Sequence, residues 1–130
     1  MSFDLGVWHS ERPITVEEAG DLYLKLCKQE WVPIEESPAV EAFYRESCGK
    51  YPEIDMLPED QVDESPFSCA HDRSGLHVLV AISYGQRTTP VAQYVVELAE
   101  KHGLICYDPQ GPDVYLPPHL KPKASRFRFW

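Results

Sequence analysis

One stretch decides the fold: residues 75–103, GLHVLVAISYGQRTTPVAQYVVELAEKHG. Residues 77–82 are almost continuously apolar and rich in β-branched side chains, which is typical of a strand buried on both faces or lying beneath helices. Thr89 and Pro90 predict a helix start, because threonine caps helices and proline is tolerated at the first helical position. Gly103 predicts the helix end, since glycine adopts the left-handed conformation at little cost. We therefore expect the central strand of a sheet followed by a helix.

The segment on the N-terminal side supplies one more strand and two more helices. Residues 3–8 alternate bulky side chains with small or polar ones, as strands do. Residues 15–18, Thr-Val-Glu-Glu, match a capping box and predict a helix over residues 15–29. Ser and Pro at 37–38 predict the start of a second helix, which we expect to end at Gly49.

Four further strands are predicted, including the central one. Residues 67–71 and 75–84 are expected to form a hairpin, because the turn-rich residues between them are of the kind that closes one. Residues 104–107 and 114–116 are the last two strands. The predicted order is therefore βααββαββ.

This order predicts an α+β fold with a mostly antiparallel sheet of about five strands and about three helices packed on one face of it. It lacks the regular alternation of a doubly wound parallel sheet. We expect a single domain over residues 1–118 and a basic C-terminal tail over residues 119–130.

Charge is unevenly distributed along the chain. The formal net charge is −9, and residues 30–64 contain eleven Asp and Glu against two Lys and Arg. Such a surface repels nucleic acid and anionic lipid but attracts a basic protein. We therefore expect a basic protein partner, and binding of neither nucleic acid nor membrane.

Residues 51–66 contain three prolines and many acids, so we predict an exposed irregular loop there. Most charge runs are only solvated surface. Here, however, apolar residues lie among the acids, as they do in interfaces where a few anchors contribute most of the binding energy. The predicted partner-binding acids are Glu53, Asp55, Glu59, Asp60, Asp63 and Glu64. The predicted apolar anchors are Trp31, Tyr51, Met56 and Leu57.

An alternative hypothesis is a small enzyme or a metal- or ligand-binding domain that uses Cys69, His71 and His77. Thiolate and imidazole are zinc ligands, and a hairpin could bring Cys69 near His77. The spacing lacks the closely paired ligands of structural zinc sites, and no catalytic motif is present. We therefore expect no catalytic residues, no metal and no cofactor.

The expected location is the cytoplasm. The N-terminus lacks the basic and apolar regions of a signal peptide, and the longest apolar run is too short to cross a membrane. The four cysteines are scattered and are expected to be reduced thiols.

The opening residues 1–8, MSFDLGVW, and residues 102–110, HGLICYDPQ, carry a resemblance. Together they resemble a loose group of small bacterial proteins of unassigned function, over about residues 1–116. Similar small acidic proteins serve as immunity proteins beside bacterial toxin genes. The resemblance implies that this chain neutralises a toxin, with a basic toxin domain as its partner, and it transfers no catalytic residues. A further alternative is a homodimer in which residues 121–130 pack on the acidic surface of a neighbouring copy.

Overall fold

The structure is a computed structural model and describes residues 2–121. The strands are β1 (Ser2–Trp8), β2 (Asp72–Arg73), β3 (His77–Ser83), β4 (Ile105–Asp108) and β5 (Asp113–Tyr115). The helices are α1 (Val16–Cys27), α2 (Pro38–Lys50) and α3 (Thr88–Lys101). Short 3₁₀ turns occur at Ile54–Met56, Glu59–Glu64 and Pro118–Leu120. This confirms the predicted α+β class.

The five strands form one antiparallel sheet in the order β2-β3-β1-β4-β5. The central strand is β1, and not residues 77–82 as predicted. β3 is an interior strand beside it, with Leu5 opposite Val80 and Trp8 opposite His77. β1 takes the centre because residues 5–8 are all buried, so that both of its faces and both of its edges are covered.

Helices cover both faces of the sheet, which corrects the expectation of helices on one face. Leu5 and Val7 of β1 pack with α2 and α3, whereas Trp8 packs with α1. The reason is a second apolar face that the sequence pattern did not reveal. Ile105 and Tyr107 of β4 join Trp8 there and form a separate core under α1.

The predicted strand over residues 67–71 is wrong. Only Phe67 pairs with β3, as an isolated bridge to Ile82, and the hairpin strand is the two-residue β2. The physical reason lies at His71, whose backbone N–H donates to the buried Glu53 carboxylate at 2.7 Å. That amide group is therefore not available for a strand ladder.

The helix starts were predicted with mixed success. The capping box of Thr15 and Glu18 is present, and the Ser37 hydroxyl accepts from the Ala39 N–H. Thr89 is not the cap of α3. Thr88 begins that helix, and its hydroxyl donates to the Ser83 carbonyl and accepts from the Gly85 N–H.

The two predicted helix ends also differ in outcome. Gly103 has φ +70°, so it ends α3 in the left-handed conformation as predicted. Gly49 does not end α2, which continues to Lys50. Glycine permits a helix end but does not require one, and here the helix is extended by one residue.

Gln110 connects the turn at residues 107–110, Tyr-Asp-Pro-Gln, to strand β1. Its side-chain amide accepts from the Asp4 N–H at 2.6 Å and donates to the Asp4 carbonyl at 2.8 Å. The Asp108 carboxylate accepts from both the backbone and side-chain N–H groups of Gln110. The Gln110 side chain thus replaces a strand residue beyond the end of β4 and extends its pairing with β1.

Leu120 lies in the predicted tail but is buried in the core under α1. The rest of the predicted tail, residues 122–130, lies outside the described residues.

Candidate functional site

The acidic segment, residues 53–64, is not the uniformly exposed irregular loop that was predicted. Two 3₁₀ turns organise it, Ile54–Met56 and Glu59–Glu64. Glu53 at its start is only 6% exposed, whereas the other predicted acids are exposed. Those five exposed acids are Asp55, Glu59, Asp60, Asp63 and Glu64. Glu53 is therefore an anchor of the segment and not part of its outer surface.

Glu53 connects the acidic segment to α2 and to the residues before β2. Its carboxylate accepts from the His71 backbone N–H and from the Tyr44 hydroxyl. Burial and this hydrogen bond both raise the pKa of Tyr44, so the phenol remains a donor to the carboxylate. The guanidinium of Arg73 lies 3.9 Å from the centre of the Tyr44 ring and covers this cluster from outside.

His71 completes the buried cluster. Its ring packs edge-on against Phe67, and both ring nitrogens lack a hydrogen-bond partner among residues 2–121. Burial lowers the pKa of His71, although the Glu53 carboxylate, 3.9 Å from Nδ1, opposes that shift. The imidazole is therefore held in its neutral form at neutral pH.

The five exposed acids of the segment are close together in sequence and have no cationic partner in the part of the chain that the structure describes. Within residues 2–121, none of their carboxylates forms an ion pair with Lys or Arg, and Arg87 reaches only the backbone carbonyl of Glu64. Some carboxylates elsewhere have such partners, as Glu18 does in Arg12 and Glu46 does in Lys101, and others, such as those of Glu11 and Asp21, have none among the described residues. The acidic segment thus presents negative charge that nearby cations of the described chain do not neutralise.

The predicted apolar anchors do not lie together. Met56 is 52% exposed within the acidic segment and Leu57 beside it is half-buried. Tyr51 is half-buried and packs edge-on against Tyr94, with Lys50 near both rings. Met56 is therefore the most exposed apolar residue of the acidic segment. Tyr51 is less available to a partner, because part of its ring packs against Tyr94.

Trp31 lies in a separate groove of about 610 Å³ between the end of α1 and the β2–β3 hairpin. We call this the Trp31 groove. Trp31 is 81% exposed. The acids that line the groove are Glu30, Glu35, Glu36 and Asp72. An exposed indole among four carboxylates suits a partner that presents basic and apolar groups together.

Sequence reasoning missed the Trp31 groove. Glu35 and Glu36 were visible as a pair of acids close to Trp31, but such pairs are usually only solvated surface. The missing information was Asp72, because β2 brings its carboxylate to the groove from a distant part of the chain.

The structure does not bring Cys69, His71 and His77 together. Cys69 is exposed, and His71 packs with Tyr44 and Phe67 of the core under α2 and α3. His77 lies on the other side of the sheet, where it lines the Trp31 groove. Among residues 2–121, no group of three or more His, Cys, Asp or Glu side chains could hold a metal ion.

His77 is held by its own hairpin. Its Nδ1 lies 2.9 Å from the Ser74 hydroxyl, and its Nε2 lies 3.4 Å from the Asp72 carboxylate. The Ser74 hydroxyl also accepts from the Leu76 N–H. The Ser74 hydroxyl therefore helps to close the turn between β2 and β3, and these hydrogen bonds stabilise the hairpin.

The buried thiols are unsuited to nucleophilic chemistry. Burial raises the pKa of Cys48 and of Cys106, whereas a reactive cysteine needs a lowered pKa. All four cysteines are free in the structure.

Among the helices of residues 2–121, none combines the length and the apolar character needed to cross a membrane. Comparison with protein-family models, with curated proteins and with solved structures gave no match. The resemblance to small bacterial proteins therefore stays a prediction.

Proposed function

We propose that this chain is a cytoplasmic protein-binding module that holds a basic domain of a bacterial toxin, as an immunity protein does. One observation carries the proposal: five exposed carboxylates lie within ten residues, and none has a Lys or Arg partner among the described residues. Uncompensated charge attracts and orients an oppositely charged protein.

The fixed position of the acidic segment supports the same proposal. Glu53 holds its start through two hydrogen bonds, and two 3₁₀ turns order the residues after it. A segment that is already ordered loses less conformational entropy when a partner binds. The same negative charge disfavours nucleic acid as the partner.

The Trp31 groove supplies the apolar contact that charge alone does not give. Tryptophan is enriched among the residues that contribute most to interface affinity, and charged residues around it form the rim. In the proposal, the acids steer the toxin domain and the exposed indole anchors it.

Co-expression with the product of the neighbouring gene tests the proposal. We expect that product alone to arrest growth, and this chain to restore growth. Trp31→Ala should abolish the restoration, because the exposed indole is removed without loss of core packing. The matched control is Leu24→Ala, which removes an exposed side chain from α1 (56% exposed) and should restore growth fully.

Two outcomes would contradict the proposal. A neighbouring product without toxicity would remove the expected partner. Full restoration of growth by the Trp31→Ala variant would show that the Trp31 groove is not the binding surface.

A further inference from the structure

The acidic segment is connected to the other elements mainly at its two ends. Its backbone hydrogen bonds are local, such as the one from the Met56 N–H to the Glu53 carbonyl. Within residues 2–121, side chains connect it to the rest of the fold through the Glu53 carboxylate at its start and through Arg87, which donates to the Glu64 carbonyl at its end. The position of the start of the segment therefore depends on the groups around Glu53.

The His71 ring is the polar group beside Glu53 that lacks hydrogen bonds. Its side chain is completely buried, it packs edge-on against Phe67, and neither ring nitrogen has a partner among residues 2–121. One oxygen of Glu53 accepts from the Tyr44 hydroxyl. The other accepts from the His71 backbone N–H and lies 3.9 Å from Nδ1. An imidazolium here would be a buried charge with no acceptor within hydrogen-bond distance.

The remaining titratable and charged groups near the ring do not stabilise a positive charge. Tyr44 and Cys48 of α2 are neutral at neutral and mildly acidic pH, because burial raises the pKa of the phenol and of the thiol. Arg73 of β2 lies over the Tyr44 ring and is itself a cation. Burial lowers the pKa of His71 although the Glu53 carboxylate opposes that shift.

We propose that protonation of His71 releases the start of the acidic segment from the fold. Phe67 and Tyr44 pack edge-on around the ring, so the imidazolium reaches water only when residue 71 moves. The backbone N–H of residue 71 donates to Glu53, and that hydrogen bond breaks with the movement. Glu53 then keeps one of its two donors, and the 3₁₀ turn at Ile54–Met56 is freed with it.

The direction of the pH effect follows from proton uptake. In the open form the His71 ring is hydrated and has the usual pKa of about 6.5, whereas burial lowers the pKa of His71 in the closed form. The open form therefore takes up the proton more readily, and release increases as the pH falls below about 6.5.

The release does not depend on the proposed function, but its consequence for partner binding rests on it. A released segment no longer holds its carboxylates in fixed positions, so more conformational entropy is lost when a partner binds. In the proposal, the chain holds its basic partner near neutral pH and binds it more weakly in mild acid.

Amide hydrogen exchange in the full chain, corrected for intrinsic exchange rates, tests the proposal. The two reporters are the N–H of residue 71, which donates to the Glu53 carboxylate, and the N–H of Met56, which donates to the Glu53 carbonyl. Between about pH 7.5 and about pH 5.5 we expect the opening equilibrium of both to rise at least about threefold, toward a limit of about tenfold. Both should open more readily than the Leu104 N–H, which donates to the Ala99 carbonyl in the core.

Three variants separate His71 from other causes. His71→Phe should remove the pH dependence at both reporters, whereas His119→Gln, which removes an exposed histidine, should keep it. Tyr44→Phe removes the other donor to the Glu53 carboxylate. It should raise the opening equilibrium at both pH values and keep their ratio, which tests the proposal even if His71→Phe folds poorly.

Three results would overturn the proposal. Slower exchange in mild acid would show that the imidazolium pairs with Glu53 and strengthens the contact. A rise at residue 71 without one at Met56 would show that the ring leaves without releasing the segment. A rise that persists in His71→Phe would assign the effect to another group. These measurements need no partner, so a failed restoration of growth beside the expected exchange would count against the proposed function alone.

Discussion

Glu53 is the buried acid at the start of the acidic segment, and it determines where that segment lies. Its carboxylate accepts from the His71 N–H and the Tyr44 hydroxyl. A hydrogen bond to a charged buried group is worth more than one to a neutral group. The orientation of the exposed acids therefore depends on one residue that sequence reasoning placed among the partner-binding acids.

We expect Glu53→Gln to lower the free energy of unfolding by about 1–3 kcal/mol, because the amide keeps the shape but removes the charged acceptor. Urea denaturation measures the change. Asp55→Asn is the matched control, since Asp55 is exposed, and it should change stability by less than about 0.5 kcal/mol. Equal effects of the two variants would show that Glu53 is not an anchor.

His71 gives the fold a pH dependence. Burial lowers the pKa of His71 in the folded chain below the usual value of about 6.5 for the unfolded chain. The unfolded chain then takes up the proton more readily, so the free energy of unfolding falls as the pH drops below about 6.5.

We expect His71→Phe to reduce this loss of stability between pH 6.5 and the lowered pKa, because the unfolded chain no longer has this imidazole to take up a proton. It should also raise stability modestly at pH 7, since two unpartnered buried nitrogens are removed. Denaturation at several pH values measures both effects. His119→Gln is the exposed control, and an unchanged pH profile in His71→Phe would refute the assignment.

At the scale of elements, the sequence predicted what local chemistry determines. The capping box of α1, the Ser37 cap of α2 and the left-handed Gly103 after α3 are all local, and all are present. The failures in the sheet depend on distant contacts. β2 is short because the His71 N–H donates to the Glu53 carboxylate and not to a neighbouring strand. The second face of the sheet is buried because Trp8 packs with Ile105 and Tyr107.

In the candidate functional site, too, local features could be predicted from the sequence and distant contacts could not. The exposure of Asp55 and of Glu59–Glu64 could be predicted from the local density of acids and prolines. The burial of Glu53 could not, because its partners, Tyr44 and His71, are 9 and 18 residues away. The Trp31 groove was missed because Asp72 reaches it through strand pairing.

The start of α3 is a local prediction that failed, and it can be tested directly. Thr88→Ala removes a hydroxyl that donates to the Ser83 carbonyl at 2.8 Å and accepts from the Gly85 N–H at 2.7 Å. We expect a loss of about 1 kcal/mol in the free energy of unfolding. Thr89→Ala should change it by less than about 0.5 kcal/mol. The reverse order in thermal or urea unfolding would support the sequence-based cap at Thr89.

At the scale of the whole molecule, the two acidic surfaces lie near the same edge of the sheet but toward opposite faces, the acidic segment beside α2 and the Trp31 groove beside α1. The chain directly after the acidic segment pairs with the Ser83 end of β3, whereas the Trp31 groove lies at the His77 end. Seven strand residues separate these ends by about 20 Å. Both surfaces lie on the β2 side of β3, since β1 occupies its other edge. A single partner would contact both surfaces only by reaching around this edge of the sheet.

The central claim is that the position of the charge, and not its total, attracts the partner. Changing Glu59, Asp60 and Asp63 to Lys reverses three exposed acids of the acidic segment. Changing Glu11, Glu17 and Asp21 to Lys is the matched control, because these acids are also exposed. Each reversal adds two positive units, so both variants move the formal net charge from −9 to −3.

The most direct test is the association rate constant with the proposed partner, the product of the neighbouring gene, measured by stopped flow at low ionic strength. We predict that reversal in the acidic segment lowers the rate about tenfold or more and that the control changes it much less. Added salt should reduce the difference between them. Equal rates for the two variants would contradict the account.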